Sequence, residues 1–212
     1  MKLPARHTIL RITLPALFIL GLGACTDAPD PAPDSCVVKG PNFIADPQFA
    51  TFDQPRSSKK WHVSQHATSE SFRYAVTKDV LMIEQIGVEP WSIVTQSPDP
   101  QSVSGKTLQF SAELKLDLTE PEAAHGFKLG GGLVLLAKRN GKILVNSNMD
   151  HEPHMGVSDW TTATIVVKIP AKTDYLRLGF INQAGGSIRV RNPSLRQIDR
   201  SKGECPLTIT DS

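Results

Sequence analysis

Imidazole and carboxylate side chains occur together in the segment Asp150-His151-Glu152-Pro153-His154. Such side chains suit zinc or copper, which makes His151 and His154 the candidate metal ligands of the chain. The spacing differs from the His-Glu-x-x-His motif, and Pro153 prevents the helix that would place both imidazoles on one face. No third ligand is evident from the sequence. We therefore predict a polar surface loop, with no bound metal and no cofactor.

A serine nucleophile activated by lysine is suggested by the Ser-x-x-Lys match from Ser57 to Lys60. That chemistry needs a helix start and companion Ser-Asp-Asn and Lys-Thr-Gly elements, which the sequence lacks. Gly130 to Gly132 are not followed by the Lys-Ser/Thr pair of a phosphate-binding loop, so a flexible connection or a bulge is expected there. The sequence therefore predicts no catalytic residue, and an enzyme is the least favoured class of function.

Four side chains could contact a bound ligand. Trp91 follows Glu89-Pro90 at the start of a predicted strand, which favours its exposure for stacking against a sugar ring. Tyr175, Arg177 and Arg189 alternate with apolar neighbours, so they should face away from the core. They either line a concave sheet face or simply lie in solvent. Since aromatic residues make up only 6% of the chain, a large stacking platform is not expected.

The N-terminal segment has the composition of an export signal. Lys2, Arg6 and Arg11 precede the apolar run 12–22, and no acidic residue occurs there. At about a dozen residues this run is too short for a membrane-spanning helix, which needs about 20. Residues 1–24 are therefore interpreted as a signal peptide that does not belong to the fold.

The tetrapeptide Leu22-Gly23-Ala24-Cys25 looks like a lipobox, whose cysteine becomes the acylated N-terminus after cleavage. The alternative is an ordinary signal peptide that leaves Cys25 as a free thiol. Lipidation with two or three acyl chains would anchor the protein stably to a membrane of the bacterial cell envelope. Thr26, where some lipoproteins carry Asp, favours the outer membrane over the inner one.

The charge of the mature chain argues against nucleic acid as a partner. Removing residues 1–24 takes three of the 23 Lys and Arg residues and none of the 21 acidic ones, which leaves a net charge of −1. Such a chain has no strongly basic field to attract phosphates.

The remaining cysteines lie at the two ends of one domain. Residues 25–35 form a Pro-rich tether that is expected to be disordered, residues 36–206 form the domain, and residues 207–212 form a tail. With Cys25 acylated, Cys36 and Cys205 are the two thiols left in an oxidising compartment, where pairing is the default. Free or intermolecular thiols are the alternative.

The sequence pattern of the domain predicts an all-β fold. In the segment 107–116 every even position is apolar and every odd one polar, as in a half-buried strand. Asn140-Gly141 between the apolar runs 133–138 and 142–146 predicts a tight hairpin. Further strands are expected at 80–86, 91–96, 162–169, 175–181 and 187–191. Many short antiparallel strands indicate a sandwich or a barrel.

Seven short segments form a recognisable series along the chain: 41–49, 61–63, 91–96, 105–115, 159–162, 169–170 and 186–195. In this order they resemble the galactose-binding-like jelly rolls of CenC-type carbohydrate-binding modules. The resemblance implies an antiparallel jelly-roll β-sandwich in which Trp61 and Trp160 are core or corner residues. Members often hold a structural calcium with acidic residues where this chain has Ala50 and Arg191-Asn192, so no calcium is expected there.

The resemblance and the anchor together predict a membrane-anchored, non-catalytic binding module that recognises a glycan. The alternative is a structural or docking lipoprotein that binds a protein partner in an envelope complex. Fold alone does not decide between these two, because related sandwiches carry different sites.

Overall fold

The computed structural model describes residues 38–68, 70–121, 126–148 and 154–199. Within these ranges the chain forms eleven strands and one short helix, and every strand pairing is antiparallel. The elements are β1 (Val38–Lys39), β2 (His62–Gln65), β3 (Phe72–Thr77), β4 (Val80–Gln85), β5 (Ser92–Gln96), α1 (Pro100–Val103), β6 (Thr107–Thr119), β7 (Gly131–Arg139), β8 (Lys142–Asn148), β9 (Thr161–Lys168), β10 (Tyr175–Asn182) and β11 (Gly185–Ile198).

The strands form two sheets with the hydrophobic core between them. The six-stranded sheet has the order β3-β4-β11-β6-β9, and β1 pairs with the end of β11. The five-stranded sheet has the order β2-β5-β10-β7-β8. This architecture confirms the predicted all-β, antiparallel jelly-roll β-sandwich.

The strands with the clearest sequence patterns are present as predicted. Along β6, the apolar side chains from Leu108 to Leu116 are buried and the intervening polar ones are more accessible. The hairpin between β7 and β8 turns at Asn140 and Gly141, whose φ angles are 50° and 76°. Such positive φ values are what a two-residue hairpin turn requires.

Strand β3 and the second half of strand β11 differ from the sequence-based expectation. Strand β3 was not predicted, although Phe72, Tyr74 and Val76 alternate with accessible residues and pack on the core. Strand β11 continues beyond 187–191 to Ile198, because a bulge absorbs Asn192 (φ 52°) and Pro193 before pairing with β6 resumes. Proline inside a strand is tolerated at such a bulge.

The three-glycine segment also differs from its prediction. Gly131 and Gly132 begin β7 and pair with the end of β10, so they do not form a flexible connection. A Cβ atom at Gly131 would lie 3.1 Å from Leu118 Cδ1 and 3.2 Å from the Ile181 carbonyl oxygen. Glycine permits this close packing between the sheets.

An aromatic cluster fills the centre of the core. Trp61 is fully buried, and its ring centroid lies 5.1 Å from that of Phe49 and 5.3 Å from that of Phe180. The indole Nε1 donates a hydrogen bond of 2.7 Å to the carbonyl oxygen of Asp46. Trp61 is therefore a core residue, as the resemblance implied.

Several predictions fall on residues that the structure does not describe. These are the signal peptide, the tether, the C-terminal tail, and the side chains of Cys25, Cys36, Cys205 and His151. Lipidation, disulfide formation and the boundaries of the terminal segments therefore stay predictions. In the part of the chain that is described, no helix is long and apolar enough to cross a membrane.

Candidate functional site

The outer face of the five-stranded sheet carries three of the four predicted ligand-binding residues. Along β10, Leu176 and Leu178 are fully buried in the core, whereas Tyr175 is 36% exposed and Arg177 is partly accessible. Side chains alternate between the two faces of a strand, so Tyr175 and Arg177 share the outer face. Trp91 immediately precedes Ser92 of β5, which pairs with Asn182 at the far end of β10.

A depression of about 290 Å³ lies on this face. Its lining residues are Trp91, Ile93, Phe127, Val134, Arg177, Ile181 and Gln183. The floor is apolar, and the charged guanidinium of Arg177 is one of few polar groups around it. Binding sites for small molecules and sugars commonly combine an apolar surface with a few convergent polar groups.

Two residues beside Trp91 were not identified as candidates from the sequence. The ring centroid of His66 lies 6.0 Å from that of Trp91 and 6.1 Å from that of Phe127, both in edge-on orientation. His66 Nδ1 lies 2.8 Å from Glu89 Oε2, which fixes the imidazole between the two rings. Phe127 is 45% exposed. It follows a Gly in a loop without periodicity, so the sequence gives no signal for its role.

Tyr175 and Arg189 occupy different places from the depression. Tyr175 lies further along the same outer face, where Lys138 Nζ is 5.7 Å from the centre of its ring. Arg189 lies on the other sheet, opposite Met82 of β4 and Lys115 of β6. The structure thus brings together Trp91 and Arg177 and leaves Arg189 on a separate surface.

A charged cluster occupies the outer face of the six-stranded sheet around Arg191. Its guanidinium donates to Glu113 Oε2 at 2.8 and 2.6 Å, and Asn192 Nδ2 donates to Oε1 at 2.6 Å. These hydrogen bonds hold the pKa of Glu113 below its ordinary value, and the bond from Asn192 has the largest effect. The guanidinium also lies 4.1 Å from the centre of the Trp160 ring. Trp160 is therefore a partly buried residue that packs against this ion pair.

The positions for which the resemblance raised the question of calcium are occupied by hydrogen-bonded protein groups. Arg191 and Asn192 bind Glu113, while the Ala50 backbone N–H donates to Asp46 Oδ1 at 2.9 Å. Of the candidate metal ligands, His154 is exposed, and its backbone pairs with Gly131. Among the described residues there is no group of three or more metal-binding side chains. The expectation of no metal stays a prediction, since His151 is not described.

A second depression, of about 220 Å³, lies at one end of the six-stranded sheet. Its lining residues are Gln85, Ile86, Gly87, Thr119, Glu120, Pro121, Gly185 and Gly186. None of these is aromatic, so this depression offers no ring for stacking.

Comparisons with known proteins find similarity in structure but not in sequence. No protein-family model and no curated protein sequence matches the chain. A family 4 carbohydrate-binding module matches with 14% identity and a TM-score of 0.50, over 73% of this chain and 99% of that one. The family 61 module TmCBM61, in complex with β-1,4-galactotriose, matches with 12% identity and a TM-score of 0.44, over 74% of this chain and 99% of that one.

The enzymatically active domain of bacteriophage CBA120 tailspike protein 4 is also similar, with 14% identity and a TM-score of 0.49. The match covers 74% of this chain and only 21% of the tailspike chain. The likeness to the family 4 module shows the fold: the chain has the jelly-roll architecture of carbohydrate-binding modules.

Proposed function

We propose that the domain is a non-catalytic glycan-binding module whose ligand lies on the outer face of the five-stranded sheet. The depression that combines Trp91 and Phe127 with Arg177 and Gln183 is the observation that carries this proposal. An aromatic ring offers its face to the apolar side of a sugar, while polar groups orient the hydroxyls. The fold shared with a family 4 carbohydrate-binding module supports the proposal.

Replacing Trp91 with alanine is expected to weaken glycan binding by about tenfold or more, because aromatic anchors dominate such contacts. A glycan array probed with residues 26–212 would identify the ligand, and calorimetry would measure the affinities. Trp160→Ala is the matched control, since Trp160 packs on the other sheet and should leave binding unchanged. Failure to bind any glycan, or equal affinities for Trp91→Ala and the parent chain, would reject the proposal.

A protein partner in an envelope complex is the second candidate function. Exposed apolar side chains favour it: Ile86 is 55% exposed, Val88 64% and Val157 81%. Ile86 and Val88 belong to one loop, and exposed apolar surface often marks contact sites between proteins. An envelope protein whose cross-linking is lost on Val157→Ser and retained on Trp91→Ala would favour this candidate.

The proposal includes a lipid anchor at Cys25 and a location in the cell envelope, at the outer membrane. The basic head, the apolar run and the lipobox support it. Cys25→Ser is expected to abolish incorporation of labelled palmitate and to leave the longer precursor, because no thiol remains to be acylated. Cys36→Ser is the control and should be labelled and processed normally. Palmitate incorporation that persists in Cys25→Ser would contradict the anchor.

A further inference from the structure

We infer that the glycan recognised by the five-stranded face is an acidic polysaccharide, and that Arg177 binds its carboxylate. This inference rests on the proposed function, because it names the ligand class of the same surface.

The central strands of this sheet carry charge of only one sign at their outer positions. The outer positions of β5, β10 and β7, as defined by strand register and by alternation with buried residues, hold aromatic, aliphatic, Thr and Gly residues and two cations. The cations are Arg177 and Lys138, and no Asp or Glu occupies any of these positions. Neither cation forms an ion pair within the described part of the chain. The face therefore attracts an anion more strongly than a neutral ligand.

The six-stranded sheet provides an internal comparison, because its outer face carries both signs of charge. Four ion pairs lie on it or at its edge, joining Arg73 to Glu84, Lys115 to Asp159, Arg191 to Glu113 and Lys39 to Asp199. Even Arg189, which lacks such a pair in the described chain, shares this face with several carboxylates. The outer positions of β5, β7 and β10 thus differ from the six-stranded sheet in lacking acidic side chains, and the Glu89 carboxylate beside the depression lies 2.8 Å from His66 Nδ1.

Hydrogen-bonding capacity points to the same ligand class. Guanidinium and ammonium groups are donors only, so Arg177 and Lys138 can bind acceptor oxygens but cannot accept a bond from a sugar hydroxyl. A guanidinium matches a carboxylate with two parallel N–H···O bonds. Arg177 lines the same depression as Trp91. One sugar unit of the polysaccharide could therefore stack on the indole ring while a carboxylate of the polysaccharide binds the guanidinium.

The length of the surface suits a polymer. The pairing of Lys138 with Tyr175 places the second cation two residues along β10 from Arg177, at about 7 Å. From Gln183, beside Trp91, to Tyr175 is eight residues, which is about 26 Å in extended chain. Aromatic groups therefore occur at both ends of an extended strip, and the two cations lie toward its Tyr175 end.

The test is a titration of the mature chain, residues 26–212, with polygalacturonate, alginate and hyaluronate, each paired with its carboxyl-reduced form. At least one charged polymer is expected to bind, with affinity lower by about tenfold or more after carboxyl reduction. Arg177→Gln should lose about as much affinity for the charged polymer and little for the reduced one. Arg189→Gln, on the other sheet, is the matched control and should behave like the parent chain.

Each other outcome has a defined meaning. Tighter binding to neutral polymers that still depends on Trp91 would overturn the acidic ligand and leave the proposed function standing. No binding to any polymer, charged or neutral, would overturn both. Equal losses for Arg177→Gln and Arg189→Gln, or equally tight binding of dextran sulfate, would show non-specific attraction of polyanions and would reject the carboxylate contact.

Discussion

Trp61→Ala is expected to lower the free energy of unfolding by about 3–5 kcal/mol, as other large-to-small changes of buried aromatic residues do. The indole is fully buried and lies between Phe49 and Phe180, so its removal leaves a cavity in the centre of the core. The carbonyl of Asp46 loses its hydrogen bond from Nε1 at the same time. A domain of this size is stable by only about 5–15 kcal/mol, so much of its stability would be lost.

Urea denaturation followed by circular dichroism would measure this change. Trp91→Ala is the control on the protein surface and should cost less than about 1 kcal/mol, since Trp91 is only partly buried. Trp61→Phe retains an aromatic ring but lacks the Nε1 donor. Its loss of unfolding free energy should therefore lie between those of Trp61→Ala and Trp91→Ala. Equal midpoints for Trp61→Ala and Trp91→Ala would contradict the central position of Trp61 in the core.

The opening segment 41–49, on which part of the resemblance to carbohydrate-binding modules rests, consists largely of residues that hold the fold. Asn42 Oδ1 accepts hydrogen bonds from the backbone of Ile44 and of Leu195, and thereby fixes the entering chain against β11. The Asp46 carboxylate accepts two backbone N–H groups and the Thr51 hydroxyl in the following turn. Because these positions are structural, the resemblance predicts the sandwich but not its ligand.

Strand alternation predicted which side chains face outward but not which of them meet. Arg177 and Arg189 alternate with buried neighbours in the same way, and both are accessible. They lie on different sheets because β10 pairs with β5 and β7, whereas β11 pairs with β4 and β6. Such pairings join strands that are far apart in sequence, and local periodicity contains no information about them.

Sequence patterns also identify only some of the residues that form the depression. Trp91 could be identified because it precedes a strand, and Arg177 because it alternates with leucines. Phe127 reaches the site from a loop, and His66 is held there by Glu89, a residue 23 positions away. Neither position has a local pattern, so only the folded arrangement of the loops shows their contribution.

A disulfide between Cys36 and Cys205 is the remaining prediction with a large expected effect. The pairing of Val38 with Ile198 supports it, because the first and last described strands are neighbours in the sheet. Closing a loop of such length stabilises the folded chain by roughly 5 kcal/mol in the chain-entropy model. Reductant should therefore lower the free energy of unfolding by a comparable amount, measured by urea denaturation of residues 26–212.

The matched control is the double variant Cys36→Ser/Cys205→Ser, which should be as unstable as the reduced parent and insensitive to reductant. In thiol titration of the unfolded chain without reductant, the parent should show no free thiol and Cys36→Ser should show one. Two reactive thiols in the parent would reject the bond. The two ends of the domain would then be joined by the β1–β11 pairing without a covalent link. The loss of stability on Trp61→Ala would in that case be a larger fraction of a smaller total.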